Sequence, residues 1–116
     1  MANGKMQRTK GARVEREMVH KLLEISGVEA QRVPLSGAAG GQFSGDIVID
    51  LQRSDKDGKR KDIRLVAEVK ARRNGSGFAV LEKWLGDNDL LLLKKDRTNP
   101  TVAMPWKTFR KLIKAL

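Results

Sequence analysis

The chain has 116 residues, with 24 basic and 14 acidic side chains and a formal net charge of +10. This length predicts one small domain, and the positive charge predicts a polyanionic partner. Cysteine is absent, which excludes disulfides and thiolate metal sites and agrees with a reducing cytoplasm. One histidine and no tyrosine argue against histidine-metal nucleases, histidine nucleophiles and tyrosine recombinases. Any metal would therefore be held by oxygen atoms, which suits Mg²⁺, with Mn²⁺ as a substitute.

No apolar run approaches the roughly 20 residues that cross a bilayer, and the first residues carry no recognisable secretory signal. We therefore expect no membrane partner. Residues 1–10 are polar and lack an apolar period, which predicts a flexible basic arm. Its cations, Lys5, Arg8 and Lys10, are candidates for contact with phosphates.

Residues 12–26 predict a helix with an apolar arc, ended by Gly27. Glu15 falls in the middle of this arc, where an ionised carboxylate needs a partner or a metal. The helix alone favours a structural role over a metal site, either a buried ion pair or a position at the edge of the arc in a slightly turned helix. Arg16 lies beside the arc and could reach the same site.

A short strand is predicted at residues 28–33, followed by the small-residue loop 34–44. Glycine and small side chains let the backbone of such a loop approach a ligand closely. Its length favours a functional loop over a plain connection.

Residues 45–51 and 63–71 predict two strands joined by a polar hairpin loop at 52–62, centred on Asp57 and Gly58. With Asp57 as the pivot, the numbers of paired residues sum to 114. Ile47 then meets Ala67, and the apolar residues of both strands share one face, whereas a slip by one residue would scramble both faces.

The same register places charged residues opposite each other on the second face. Asp50 meets Arg64, which predicts a cross-strand ion pair. Asp46 meets Glu68, and two like charges side by side repel unless a divalent cation lies between them. This repulsion is the main reason to expect a metal here.

The remaining residues predict a basic loop, a helix with Trp84 in the core, two further strands and a last helix that begins at Pro105. Four consecutive leucines in 89–94 predict a strand buried on both faces. The order is α-β-β-β-α-β-β-α with a mixed sheet, in a single domain at 11–116. The loop at 72–76 carries Arg72 and Arg73, and the strands and helices lie at 78–85, 89–94, 101–104 and after Pro105.

Three carboxylates then converge, with an amine beside them: Glu15, Asp46 and Glu68, with Lys70 adjoining. Such a set can hold one or two Mg²⁺ ions against a scissile phosphate. Lys70 would orient or activate water or stabilise developing charge, and the carbonyl of Val69 could add a ligand.

Asp46 and Glu68-Val69-Lys70, preceded by a helix that bears Glu15, resemble the PD-(D/E)xK nuclease superfamily. Within it the chain resembles the archaeal-type (Hjc-like) Holliday junction resolvases, which also occur in phages. The matching stretches include Lys10-Gly11, Glu15-Arg16-Glu17, Leu35-Ser36-Gly37 and Gly45-Asp46, and Gly45 stands where the superfamily name has proline.

The resemblance implies an α/β, restriction-endonuclease-like core and Mg²⁺-dependent cleavage of branched DNA in recombination and repair. It implies a homodimer that nicks opposed strands of a four-way junction, in the nucleoid or in the cytoplasm of an infected cell. It assigns metal binding to Glu15, Asp46 and Glu68, catalysis to Lys70, and roles in cleavage to Arg16 and Ser36. The complete set expected to contact DNA is Lys5, Arg8, Lys10, Arg16, Ser36, Gly37, Arg72 and Arg73.

Other functions stay open at this point. The chain could be a PD-(D/E)xK nuclease of another type, such as a flap, restriction-like or nicking enzyme. It could also be a basic DNA-binding module or a ribosome-associated protein without catalysis. The clustered acids favour a nuclease, because a protein that only binds phosphate gains nothing from them.

Overall fold

The structure, a computed structural model, describes residues 3–33 and 46–116, with side chains described from residue 11 onwards. The observed order of elements is the predicted one, and the mixture of helices and strands is compatible with a restriction-endonuclease-like core. In chain order the elements are α1 (Asn3–Leu23), β1 (Val28–Arg32), β2 (Ile47–Ser54), β3 (Arg60–Ala67), α2 (Ala79–Leu85), β4 (Leu91–Leu93), β5 (Thr101–Ala103) and α3 (Trp106–Ala115).

The chain folds as two compact units, Met1–Ala71 and Arg72–Leu116. The first carries α1 and a three-stranded sheet of order β1-β2-β3, and the second carries α2, the β4-β5 pair and α3. Every strand pair among the described residues is antiparallel, which differs from the predicted mixed sheet. Each pair joins strands that are neighbours in the order of elements, and such neighbours usually pair in this way. The single domain at 11–116 stays a prediction.

The β2–β3 hairpin has the predicted register. Its pairs run from Ile47–Ala67 to Ser54–Arg60, so the residue numbers sum to 114 throughout. The strands extend further towards the turn than predicted, and β3 ends earlier, at Ala67. Asp55 Oδ1 accepts hydrogen bonds from the backbone N–H groups of residues 57 and 59, at 3.0 and 2.7 Å. This side chain closes the turn and thereby helps to fix the register.

The predicted ion pair between Asp50 and Arg64 is confirmed. Arg64 donates to both oxygens of the Asp50 carboxylate, at 2.7 and 3.3 Å. The hydrogen bond to Asp50 and the charge of Asp50 raise the pKa of the Arg64 guanidinium above its ordinary value. Because the pair is largely exposed, it contributes more to the choice of register than to stability.

The core of the first unit lies where α1 and the turn after it meet the sheet. Leu22 and Ile25 are buried there together with the apolar residues of β2, which is the central strand. Helix α1 begins at Asn3 rather than at residue 12, so it includes most of the segment predicted as a flexible arm. Lysine, methionine, glutamine and arginine in that segment favour a helix even without an apolar period.

The second unit is more open than predicted. Leu92 is 66% exposed and Trp84 is 55% exposed, so the buried β4 strand and the core position of Trp84 were wrong. The reason for the first error is that, among the described strands, β4 pairs with β5 alone. One face of this two-stranded sheet is partly covered, whereas the face that carries Leu92 is exposed. Among the apolar residues of α3 and the C-terminal residue after it, Ile113 is buried, while Leu112 and Leu116 are exposed.

Candidate active site

The ends of three strands meet at one edge of the sheet of the first unit. Arg32, the last residue of β1, pairs with Ile47, the first residue of β2, and Ile47 pairs with Ala67, the last residue of β3. Asp46 precedes Ile47 and Glu68 follows Ala67. Two of the predicted metal ligands therefore lie at the same edge.

Asp46 is fixed between the two outer strands by three hydrogen bonds. Its N–H donates to the Ala67 carbonyl at 2.8 Å, and its own carbonyl accepts from the Val33 N–H at 2.9 Å. Its Oδ2 accepts from the Val69 N–H at 2.7 Å. A short bond to a charged acceptor holds the side chain against the segment that follows β3.

The predicted pairing of Asp46 directly opposite Glu68 is not part of the β2–β3 ladder, which ends at Ile47 and Ala67. Asp46 bonds instead to the residues on both sides of Glu68. The ladder stops here because the carboxylate of Asp46, rather than a backbone carbonyl, accepts the Val69 N–H. The two acids are still neighbours along the sheet edge.

Glu68 and Lys70 form an ion pair with each other. Lys70 Nζ lies 3.2 Å from Glu68 Oε1, and both side chains are more than half exposed. The pair therefore adds little stability, and both groups are accessible to a ligand from solvent.

Glu15 projects from α1 towards β1, where it meets Arg32. Arg32 Nε donates a 2.9 Å hydrogen bond to Glu15 Oε1, and the Glu15 side chain is only 18% exposed. Of the two structural readings that the helix pattern left open, the ion pair is the arrangement observed. Because Arg32 pairs with Ile47, which follows Asp46 in the chain, this ion pair lies at the same sheet edge, on the apolar face of the sheet.

Within residues 3–33 and 46–116, no group of three or more acidic or histidine side chains could hold a metal ion. The predicted convergence of Glu15, Asp46 and Glu68 is therefore not found in this structure, since Glu15 is engaged by Arg32. Asp46, Glu68 and the Val69 carbonyl supply carboxylate and carbonyl oxygens, the donor type that Mg²⁺ prefers. These three groups fit a hard cation by donor chemistry. The roles of Glu15, Asp46, Glu68 and Val69 as metal ligands stay predictions.

The other predicted site residues are distributed more widely. Arg16 is exposed on α1, and Arg72 and Arg73 are exposed at the start of the second unit. Ser36 and Gly37 lie outside the described residues, as does the loop at 34–44 that contains them. The side chains of Lys5, Arg8 and Lys10 also lie outside the described part of the chain.

Arg32 is the site residue that the sequence analysis missed. It alternates with Val28 and Ala30, so it lies on the face of β1 that is apolar at its other positions. A lone cation on an apolar strand face and a lone acid on an apolar helix face are natural partners. Comparing those two patterns would have predicted the pair.

These features define a class of protein. An acid before one strand and a Glu-Val-Lys segment after the neighbouring strand, in a fold of this α and β order, are typical of PD-(D/E)xK nucleases. The family model described as "Phage putative PDDEXK endonuclease" matches residues 6–116, and the chain belongs to that family. No curated protein and no solved structure matches the chain. None of the helices in the described residues is long and apolar enough to cross a membrane.

Proposed function

We propose that this endonuclease is a divalent-metal-dependent enzyme that resolves four-way DNA junctions by paired hydrolysis of phosphodiester bonds. The observation that carries the proposal is the 2.7 Å bond between Asp46 Oδ2 and the Val69 N–H. It joins the two halves of the motif, because it holds Asp46 against the Glu68-Val69-Lys70 segment. The family membership supports the nuclease activity, and the junction specificity rests on the resemblance to resolvases.

Asp46, Glu68 and the Val69 carbonyl would hold the metal at the sheet edge. When bound, a divalent cation lowers the pKa of a water molecule and offsets negative charge on the scissile phosphate. Asp46 supplies one fixed carboxylate, since its second oxygen is held by Val69. Glu68 is exposed and free to turn towards a ligand, because its ion pair with Lys70 is a weak one.

Lys70 would orient the attacking water or stabilise the charge that develops on the phosphate oxygens. Its ammonium already lies 3.2 Å from a carboxylate oxygen of Glu68. A cation beside the acids keeps a phosphate from being repelled by them, and Arg16 and Ser36 would contact the cleaved strand nearby.

Glu15 would join the metal site in one of two ways, which differ in whether its hydrogen bond to Arg32 persists. A carboxylate has two oxygens, and Arg32 binds Oε1. Glu15 can therefore serve a metal through Oε2, or it can exchange Arg32 for the metal. In the second case the guanidinium of Arg32 becomes available to a phosphate, which it can bind through two parallel hydrogen bonds.

The proposed partner is branched DNA, bound by a homodimer. The net charge of +10 attracts the phosphates of DNA. The acids at the sheet edge would repel a phosphate unless a metal lies between them. A four-way junction has two-fold symmetry, and a two-fold dimer presents one site to each of two opposed strands.

The direct test is cleavage of a labelled four-way junction, compared with a linear duplex and a flap of matched sequence. We expect Mg²⁺ or Mn²⁺ to support symmetric nicks in the junction, and EDTA to abolish them. Preferential cleavage of the flap or the duplex would instead support another PD-(D/E)xK activity, which the family match favours equally. Binding of DNA without cleavage under any metal would identify a non-catalytic module.

A further inference from the structure

Helix α3 presents four cations on one side and contains no acid. The residues are Lys107, Arg110, Lys111 and Lys114, all exposed, and we call them the α3 basic face. At 100° per residue they fall within an arc of about 100°. Trp106, Phe109 and Ile113 lie outside this arc, where Ile113 is buried and the rings of Trp106 and Phe109 pack 5.3 Å apart.

The positions of these cations are three and four residues apart, so they are neighbours on the helix surface and repel each other. In the part of the chain that the structure describes, none of the four forms an ion pair with an acid. The repulsion is therefore not offset by any acid among the described residues. A bound polyanion would remove it, which makes binding and helix stability mutually reinforcing.

A second lysine-rich segment shows that this pattern is not general to the chain. Lys56, Lys59 and Lys61 are equally exposed in and beside the β2–β3 turn. There the three lysines and Arg60 are accompanied by acids at positions 55, 57 and 62, so that residues 55–62 carry a net charge of only +1. The comparison separates a solvated charged loop from a surface with uncompensated positive charge.

We infer that the α3 basic face binds the phosphate backbone of double-stranded DNA, outside the sheet-edge site and independently of metal. The inference extends the proposed function, since it supplies part of the grip on the substrate. From Lys107 to Lys114 the helix rises about 10 Å. Over that length a duplex carries about six phosphate charges, which is enough to engage every cation of the face.

The test compares two triple variants with equal loss of charge. The first replaces Lys107, Lys111 and Lys114 by Gln, and the control replaces Lys56, Lys59 and Lys61 by Gln. Binding to a fluorescein-labelled linear duplex is measured by anisotropy, in EDTA, between about 50 and 200 mM salt. EDTA prevents cleavage, so the result does not depend on catalysis.

The slope of log affinity against log salt is negative, and each lost phosphate contact reduces its magnitude by about 0.9. In the α3 variant the magnitude of the slope should therefore fall by about 2.7. The control should lose less than about 0.9, which is the value for one contact. Equal losses in the two variants, or an unchanged slope in the α3 variant, would overturn the inference. A charge-keeping variant with Arg at the three α3 positions should retain the slope.

Helical circular dichroism and the melting temperature check that the α3 variant folds, and both should be maintained because the substitutions relieve repulsion. If the triple variant fails to fold, Lys111→Gln alone should still lower the slope by about 0.9. An amphipathic basic helix can also bind anionic lipid. Loss of binding to phosphatidylserine vesicles, with the DNA slope unchanged, would therefore contradict the inference.

The outcome is separable from that of the proposed function. If the α3 variant has a reduced salt slope and the native protein cleaves no DNA, the inference about the α3 basic face is supported and the nuclease proposal for the sheet edge fails. Cleavage of junctions by the native protein, together with an unaltered salt slope in the α3 variant, would support the nuclease proposal and overturn the inference about α3.

Discussion

Arg32 Nε donates a 2.9 Å hydrogen bond to Glu15 Oε1 and thereby joins α1 to the end of β1. Glu15 is partly buried, and a carboxylate in that position is costly without a cation or a metal. The pair thus gives the Glu15 carboxylate a cationic partner.

Removal of Arg32 should destabilise the first unit. We expect Arg32→Ala to lower the free energy of unfolding by about 1–3 kcal/mol, because it leaves the Glu15 carboxylate without its partner. Glu15→Gln in the same background should recover part of the loss, since no buried charge then remains. Urea unfolding measures both.

The control for this experiment is Arg60→Ala, which breaks the exposed ion pair between Arg60 and Asp62. Its effect should stay within about 0.5 kcal/mol. Equal losses for Arg32→Ala and Arg60→Ala would show that Glu15 does not depend on Arg32.

Two substitutions separate the contribution of the Asp46 charge from that of its hydrogen bond to Val69. Asp46→Asn keeps an oxygen that can accept the Val69 N–H, so its unfolding free energy should stay within about 1 kcal/mol of the native value. Asp46→Ala loses the acceptor as well and should cost about 1–3 kcal/mol. Both variants should lose metal-dependent cleavage and retain junction binding.

The comparison of Asp46→Asn with Asp46→Ala is decided by cleavage assays and unfolding curves on the same preparations. Cleavage by Asp46→Asn at the native rate would remove Asp46 from the metal site. Equal destabilisation by both substitutions would mean that the bond to Val69 does not hold the sheet edge together.

Glu68→Ala provides the complementary test, because Glu68 makes only an exposed ion pair in the structure. We expect its unfolding free energy to change by less than about 1 kcal/mol. Metal-dependent cleavage should fall below detection while the affinity for a four-way junction in EDTA is maintained. A joint loss of folding and binding would identify a structural role instead.

The hairpin register was predictable because two independent constraints agree on it. The apolar residues of β2 and β3 share a face only when the numbers sum to 114, and Asp57-Gly58 sets the same centre. The charge pattern then gave the Asp50–Arg64 pair directly. Local alternation and turn chemistry were sufficient for this part of the fold.

The position of Glu15 was only half predictable. Its place in the apolar arc showed that it needs a partner, but a helix pattern alone does not name the partner, and the register of β1 that brings Arg32 to it is a tertiary relationship. The exposure of Leu92 was missed for a similar reason. A run of leucines does not reveal how many strands will flank it.

Two glycines with the same backbone angle test how α1 is connected to β1. Gly27 and Gly58 both have φ of 80°, a left-handed conformation that disfavours any side chain. At Gly58 a new Cβ would meet open space, whereas at Gly27 it would collide with the guanidinium of Arg53. Arg53 there donates a 2.9 Å hydrogen bond to the Ser26 carbonyl.

We therefore expect Gly58→Ala to cost about 1–2 kcal/mol from backbone strain alone. Gly27→Ala should cost about 1 kcal/mol more, because Arg53 must move and the bond to Ser26 is weakened. Thermal and urea unfolding give the two values. Equal costs would show that Arg53 does not contribute to the turn.

Lys70 distinguishes a catalytic role from a stabilising one. Its ion pair with Glu68 is exposed, so Lys70→Met should change the unfolding free energy by no more than about 0.5 kcal/mol. If the ammonium stabilises developing charge or orients water, the same substitution should slow single-turnover cleavage by about 10²-fold or more. Lys61→Met, at an exposed lysine away from the sheet edge, is the matched control and should cut at the native rate.

Lys70→Arg then separates the two roles of the amine, because it keeps the positive charge but cannot give up a proton in the same pH range. Substantial activity in this variant indicates electrostatic stabilisation, and activity as low as that of Lys70→Met indicates proton transfer or strict geometry. Native cleavage rates in both Lys70 variants would remove Lys70 from the reaction, and the chemistry would then have to depend on Asp46, Glu68 and the metal alone.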